Sequence, residues 1–331
     1  MAALPTLTLI LAAGLAFSQE APPATYRTQT DLVLVQFHVG RDKYYVSDLK
    51  QSDIVLLEDG KPRAFTTFES PADEPRTVEL VLLFDTPKFA SRGSDWLEPT
   101  YSFIPAWDEE KSRAILEKGK ANVRASVYHY DGNQMQPLCR SSIEPRDLAG
   151  AFRRLLTPIP AGEAIQLTFP PRPESPASPM SWTFPAVIAT LQDSTAAADH
   201  VTRAFIVFSR GQVYLHPTAA DVSTIAANLG ISIHSVVLDP NIPVKFRQSL
   251  AAQIPLRKLA ELTGGTSFDV TSIDAARMLG ILESIKNDAL SQYIVGFVPP
   301  PSSQPRQHKL EVRLVSKSSG KVIGGTRSAT Y

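Results

Sequence analysis

Two continuous apolar runs dominate the pattern of the chain. Val78-Glu79-Leu80-Val81-Leu82-Leu83-Phe84 stops at Asp85-Thr86, and Ala204-Phe205-Ile206-Val207-Phe208 stops at Ser209-Arg210-Gly211. Runs this short, ended by polar and turn-forming residues, predict central strands of a parallel sheet covered on both faces. In such open α/β sheets ligands bind at the carboxyl ends of the strands. The first ending places a carboxylate there and the second an arginine.

From residue 77 the pattern alternates between strands and helices. Helices are predicted over 107–118, 145–156, 184–192, 218–229, 255–262 and 273–289. The last carries Met278, Leu279, Leu282, Ile285 and Ala289 on one face. Strands are predicted over 125–130, 231–238 and 268–270. Before residue 77 the pattern is all-β: residues 32–39, then 54–57 running into Glu58-Asp59-Gly60-Lys61, a turn signal, then 64–68. After residue 290 it is β again, over 292–298, 309–315 and 321–327. Few strands in either end block imply that each alone leaves an apolar face uncovered. Residues 27–70 and 291–331 are therefore expected to pair into one antiparallel sheet, with an α/β domain between them. The domain reading is a signal peptide over 1–18, an N-terminal β-block over 19–75, an α/β domain over 76–290 and a C-terminal β-block over 291–331. Residues 158–185 hold eight prolines, which precludes helix and most strand and predicts a long loop.

Residues 4–17 are nearly all apolar and carry no charge, with Ala16-Phe17-Ser18 before Gln19. That is a signal-peptide core with a small-residue cleavage site, though no Lys or Arg follows Met1. It is short for a membrane span. The expected location is exported: periplasmic, cell-envelope or secreted, with no integral membrane segment in the mature chain. Formal net charge is zero, so nothing points to a nucleic acid or an acidic membrane as partner. Cys139 is the only cysteine, which excludes an intrachain disulfide or a CxxC pair and reads as a small apolar residue.

Asp31-Leu32-Val33-Leu34-Val35, Leu57-Glu58-Asp59-Gly60-Lys61-Pro62, Leu82-Leu83-Phe84-Asp85-Thr86, Leu259-Ala260-Glu261-Leu262-Thr263-Gly264-Gly265 and Ser291-Gln292-Tyr293-Ile294-Val295-Gly296-Phe297 occur in this order. In that order they resemble the von Willebrand factor A-related domain proteins abundant in Acidobacteria. The resemblance implies a Rossmann-type doubly wound sheet, six-stranded and mostly parallel, between helices. It also implies divalent-metal-dependent binding of a protein partner. The metal is held by an Asp-x-Ser-x-Ser loop, a Thr from a second loop and an Asp from a third. Asp85 matches the first aspartate, but Pro87 and Phe89 stand at the serine positions and Arg210 at the third-loop aspartate. The second-loop threonine falls near Ala161-Gly162, where none is in register; Thr168 and Thr183 are possible substitutes. Mg²⁺ requires about six oxygens in an octahedron, so the expectation is a lost metal site and no cofactor. Arg210 either neutralises Asp85 or points to solvent while Asp85 accepts backbone N–H groups.

His38, His129, His200, His216, His234 and His308 form no HExxH or i,i+4 pair. His129 and His234 read as ordinary sheet residues. The candidate partner-binding residues are Asp85, Thr86, Trp96, Tyr101, Trp107, Ser209, Arg210 and His216; the aromatic ones suit either a hot spot or packing. The expected function is an exported, non-enzymatic protein-binding module. The alternatives are an Mg-dependent adhesion module that recruits non-standard oxygens, and a hydrolase, for which no nucleophile–base arrangement is visible.

Overall fold

The structure is a computed structural model. It describes residues 32–41, 44–73, 76–86, 101–117, 121–132, 134–157, 164–167, 183–195, 201–209, 217–238, 255–300, 306–316, 320–326 and 328–331. The predicted signal peptide, Trp96, Thr168, His200, Arg210 and His216 lie outside these residues.

Among them the chain runs β1 (Val33–Arg41), β2 (Tyr44–Tyr45), β3 (Ile54–Glu58), β4 (Lys61–Arg63), β5 (Thr67–Glu69), β6 (Thr77–Asp85), α1 (Phe103–Ala106) and α2 (Glu109–Leu116). It continues through β7 (Asn122–Tyr130), β8 (Gln134–Ser142), α3 (Pro145–Arg154), β9 (Ile165–Gln166), α4 (Thr183–Ser194), β10 (Val201–Ser209), α5 (Ala219–Asn228) and β11 (Ser232–Leu238). It ends with α6 (Pro255–Thr263), β12 (Ser267–Val270), α7 (Ala275–Leu290), β13 (Tyr293–Phe297), β14 (Gln307–Leu314), β15 (Lys321–Ile323) and β16 (Ser328–Thr330).

The large sheet has the order β12-β11-β10-β6-β7-β8-β9. The five strands from β12 to β7 are parallel to their neighbours, and β8 and β9 are antiparallel. This is the parallel-rich α/β layer read from the two apolar runs, with one correction: the proline-rich segment contributes β9, a two-residue edge strand. The pleat sends alternate side chains to opposite faces. Leu80, Leu82, Phe84, Ala204, Ile206 and Phe208 pack with α1, α2, α3 and α7. Val81, Leu83, Phe205 and Val207 pack with α4, α5 and α6 on the other face. Because both faces are covered, the runs are continuous rather than alternating.

The helix starts follow local chemistry. Asp108 caps α2 by accepting from Lys111 N–H, so the acidic run begins one residue outside the helix. Thr218 and Asp221 form a capping box at α5. Pro145 opens α3 and Pro255 opens α6, where no N–H is required.

The end blocks pair with each other, but in two sheets rather than the single one expected. One has the order β15-β1-β13-β5, with β2 also on β1; the other is β16-β14-β3-β4. Each contains strands from both ends of the sequence. Val33, Val35, Phe37 and Val39 of β1 share a core with Leu56, Tyr293, Val295, Phe297 and Leu310. The Asp59-Gly60 turn between β3 and β4 has φ of 49° and 80°, the pair of positive values a tight hairpin requires. The tail segment read as one strand over 321–327 is a strand only through β15; Gly324 and Gly325 follow at positive φ, and β16 begins past residue 327 in the other sheet.

The motif Leu262-Thr263-Gly264-Gly265 fastens this β-block to the large sheet. Gly264 has φ of 79°, and a Cβ there would lie 2.5 Å from the backbone of Gly325. Thr263 Oγ1 accepts from the N–H of Ile233 at 3.0 Å. Only glycine lets the two backbones approach this closely.

Candidate functional site at the strand tips

Strands β6 and β10 are adjacent and parallel, in a register that pairs Phe84 with Phe208. Their carboxyl ends therefore bring Asp85 and Ser209 to one point. Thr183 joins them as the first residue of α4. The Asp85 carboxylate is 1 % exposed. Its Oδ2 accepts from Ser209 Oγ at 2.7 Å and from Thr183 Oγ1. Three residues far apart in sequence thus make one buried hydrogen-bonded cluster, as a buried carboxylate requires. Of the two threonines weighed for the second loop, the structure brings Thr183 to Asp85.

Thr86 turns to the neighbouring strand. Its N–H donates to the Tyr130 carbonyl at 2.8 Å, and its Oγ1 lies 2.7 Å from His129 Nε2. His129 was read as an ordinary sheet residue; it is instead the side-chain partner of a strand-tip hydroxyl. No sequence spacing signals this, because the contact follows from the β6–β7 register, which sets Phe84 opposite His129. A hydroxyl beside an imidazole at this distance also corrects the expectation that no nucleophile–base arrangement exists. Thr86 is 3 % and His129 4 % exposed, so the pair is buried and ties β6 to β7. Asp131, next along, is spent on the hairpin: its Oδ1 accepts from Gln134 N–H at 3.0 Å.

Two of the aromatic candidates are corrected outright. Tyr101 and Trp107 are buried in the core under the sheet. Tyr101 packs edge-on to Phe84, Trp107 packs edge-on to Phe103 and Phe152, and Trp107 Nε1 donates to Ser112 Oγ at 2.8 Å. Apolar cover for the sheet outweighs display on a loop, because Phe84 needs aromatic neighbours on this face. Asp85, Thr86 and Ser209 are at the strand tips as expected, with their side chains turned inward on one another or on β7.

Among the described residues, Asp85 gathers two hydroxyls, Ser209 and Thr183, both directed at the same carboxylate oxygen, while the Thr86 hydroxyl turns to His129. Among the described residues, no group of three or more His, Cys, Asp and Glu is placed to hold a metal ion. Cys139 lies elsewhere, on β8, where burial pushes its thiol up to about 11. Among the described residues no helix is long and apolar enough to cross a membrane.

No family model matches the chain, and no curated protein matches it. Solved structures do. A conserved hypothetical protein BatB from Bacteroides thetaiotaomicron is 13 % identical at a TM-score of 0.40, over 64 % of this chain and 98 % of that one. Proximal thread matrix protein 1 from the mussel byssus is 12 % identical at 0.40, over 68 % of this chain and 48 % of its own. The ArnB paralog VWA2 from Sulfolobus acidocaldarius is 10 % identical at 0.36, over 91 % of this chain and 75 % of that one. At these identities and TM-scores, the likeness leaves the description of the fold to the sheet order given above.

Proposed function

We propose that the mature chain is an exported, non-enzymatic protein-binding module built on a von Willebrand factor A-like domain whose metal site has been replaced by hydrogen bonds. The observation that carries this reading is Asp85. By the sequence resemblance Asp85 matches the metal-binding aspartate of such domains, and its carboxylate accepts from Ser209 and Thr183. Pro87 and Phe89 supply no donor at the loop positions, and Arg210 brings a cation where a second carboxylate is usual. One carboxylate and two hydroxyls fall short of the oxygens and negative charge an octahedral dication needs. The partner-facing surface is the segment beyond the strand tips, with Trp96, Arg210 and His216 as its contact candidates.

A second reading is an Mg-dependent module in which Asp85, Thr183 and Ser209 supply the protein oxygens. Capture from a cell-envelope fraction by the immobilised mature chain separates the two. Equal capture in EDTA and in millimolar Mg²⁺, weakened by Arg210→Ala, supports the metal-free module. Capture that appears only with Mg²⁺ supports the second reading.

A further inference from the structure

The two faces of β1 have different fates. Its odd-numbered residues fill the β-block core, while Gln36 and His38 point the other way, toward the large sheet. There they meet Ser232 and His234 of β11, Gln292, Asp288 of α7 and Tyr45 of β2. Beyond Leu34, which packs beside Gly230, the contacts of this face are polar. Gln36 Nε2 donates to the Gly230 carbonyl, and the Gln36 backbone exchanges bonds with Thr326, whose N–H donates at 2.8 Å. Gln292 Nε2 donates to Ser232 Oγ at 3.4 Å, and Ser232 Oγ lies 3.4 Å from His234 Nε2. Tyr45 donates to Asp288 Oδ1 at 2.5 Å, and the His38 ring lies 5.4 Å from the Tyr45 ring.

Two imidazoles are thus sealed in one seam, His38 at 6 % and His234 at 1 % exposure. His234 Nδ1 accepts from the N–H of Thr266 at 3.0 Å. That nitrogen carries no proton in the folded protein, and protonating it breaks the bond. His38 Nδ1 has no hydrogen-bond partner among the described residues; burial disfavours a charged ring and outweighs the Asp288 carboxylate and the Ser291 backbone, which favour it. The two rings also repel each other once charged. Among the described residues, the titratable groups that act on His38 are Tyr45, Asp288 and His234. Asp288 is the only carboxylate of the three, and it is already engaged by Tyr45.

We propose that this seam is an acid-operated latch: proton uptake at Nδ1 of His38 and of His234 parts β1 from the start of β11 while the large sheet stays folded. Each side keeps its own apolar core, so parting the seam exposes less apolar surface than unfolding either side. Buried histidines held neutral are a recurrent basis for such switches. Burial lowers the His38 pKa and takes His234 down to about 3. The closed seam is therefore fully stabilised above about pH 6.5, the ordinary histidine value, and loses stability as pH falls below it. Asp288 runs the other way: burial raises its pKa, so its contribution to closure is lost as pH rises through its folded value.

Native-state hydrogen exchange on the full chain tests this. The probes are the amides of Thr266, bonded to His234 on the large-sheet side of the seam, and of Thr326, bonded to Gln36 on the β-block side, against those of Phe205 and Val207 in the central strand. Opening should rise at least about tenfold from pH 7.5 to pH 5.5, the share of His234 alone, with His38 adding to it. The protection factors of Thr266 and Thr326 should fall by that factor while those of Phe205 and Val207 hold. In the chain carrying both His38→Gln and His234→Gln the loss of protection on acidification should vanish, leaving only the opposite dependence of Asp288. In Asp288→Asn, which keeps an oxygen for Tyr45, the loss should be at least as large as in the unaltered chain. The proposal is overturned if seam and central strand lose protection in parallel, if the seam keeps its protection at pH 5.5, or if Asp288→Asn shrinks the loss.

Discussion

Glu79 and Arg203 face each other across β6 and β10 at the end of the sheet opposite Asp85. Arg203 Nε lies 3.0 Å from Glu79 Oε2, with side chains 9 % and 3 % exposed. Ser126 Oγ donates to the other carboxylate oxygen at 2.6 Å and accepts from Ser141 N–H at 2.7 Å. At this distance and an effective dielectric near 20, the Coulomb attraction is about 5 kcal/mol before desolvation. Desolvating two charges cancels much of it, so the pair contributes little net. Breaking it is different. Arg203→Met leaves a buried carboxylate with its cation gone, and Glu79→Leu leaves a buried guanidinium; each should cost about 3–5 kcal/mol. The double variant removes both stranded charges and should cost at least about 2 kcal/mol less than the sum of the singles. Urea unfolding of the four proteins closes the cycle. Additive losses, or single losses below about 1 kcal/mol, would refute the view that this pair is a closed, desolvated unit.

Two further substitutions probe the junction and the strand tips. Gly264→Ala should destabilise by more than about 1 kcal/mol, because it forces a Cβ into a left-handed backbone and onto Gly325 at 2.5 Å; thermal melting of the variant checks it, and an unchanged midpoint contradicts the fit. Thr183→Val should cost about 1–3 kcal/mol by withdrawing a donor from the buried Asp85 carboxylate. Thr183→Ser should recover most of that in the same chemical denaturation assay, whereas equal losses in both would place the effect in packing.

Much of the fold was legible in the amino-acid sequence because burial on both faces leaves a mark that needs no partner to interpret. From Leu80 to Phe84 and from Ala204 to Phe208 the runs stay apolar at every position, and their polar stops fall at the strand tips. Helix starts were legible where caps are local, as at Thr218 and Pro255. What depended on register was not. His129 meets Thr86, and Ser209 meets Asp85, only because parallel strands are aligned at particular residues. The split of the β-block into two sheets escaped for a related reason: a period-two pattern shows that one face is buried but not which sheet buries it. Tyr101 and Trp107 were equally ambiguous. An aromatic side chain in a loop after a strand has the same sequence signature whether it covers Phe84 or reaches outward. The matched glycines, by contrast, have a physical basis in the structure, since Gly264 stands where a side chain has no room.

The central claim is that hydroxyls, and not a dication, hold Asp85. Thermal melts of the mature chain in EDTA and in millimolar Mg²⁺ test it most directly. A ligand bound only to the folded state adds about 2.7 kcal/mol at 100 times its Kd. The account predicts superimposable melts in the two buffers, with Asp85→Ala shifting both equally. A rise of several degrees with Mg²⁺ that disappears in Asp85→Ala would contradict it.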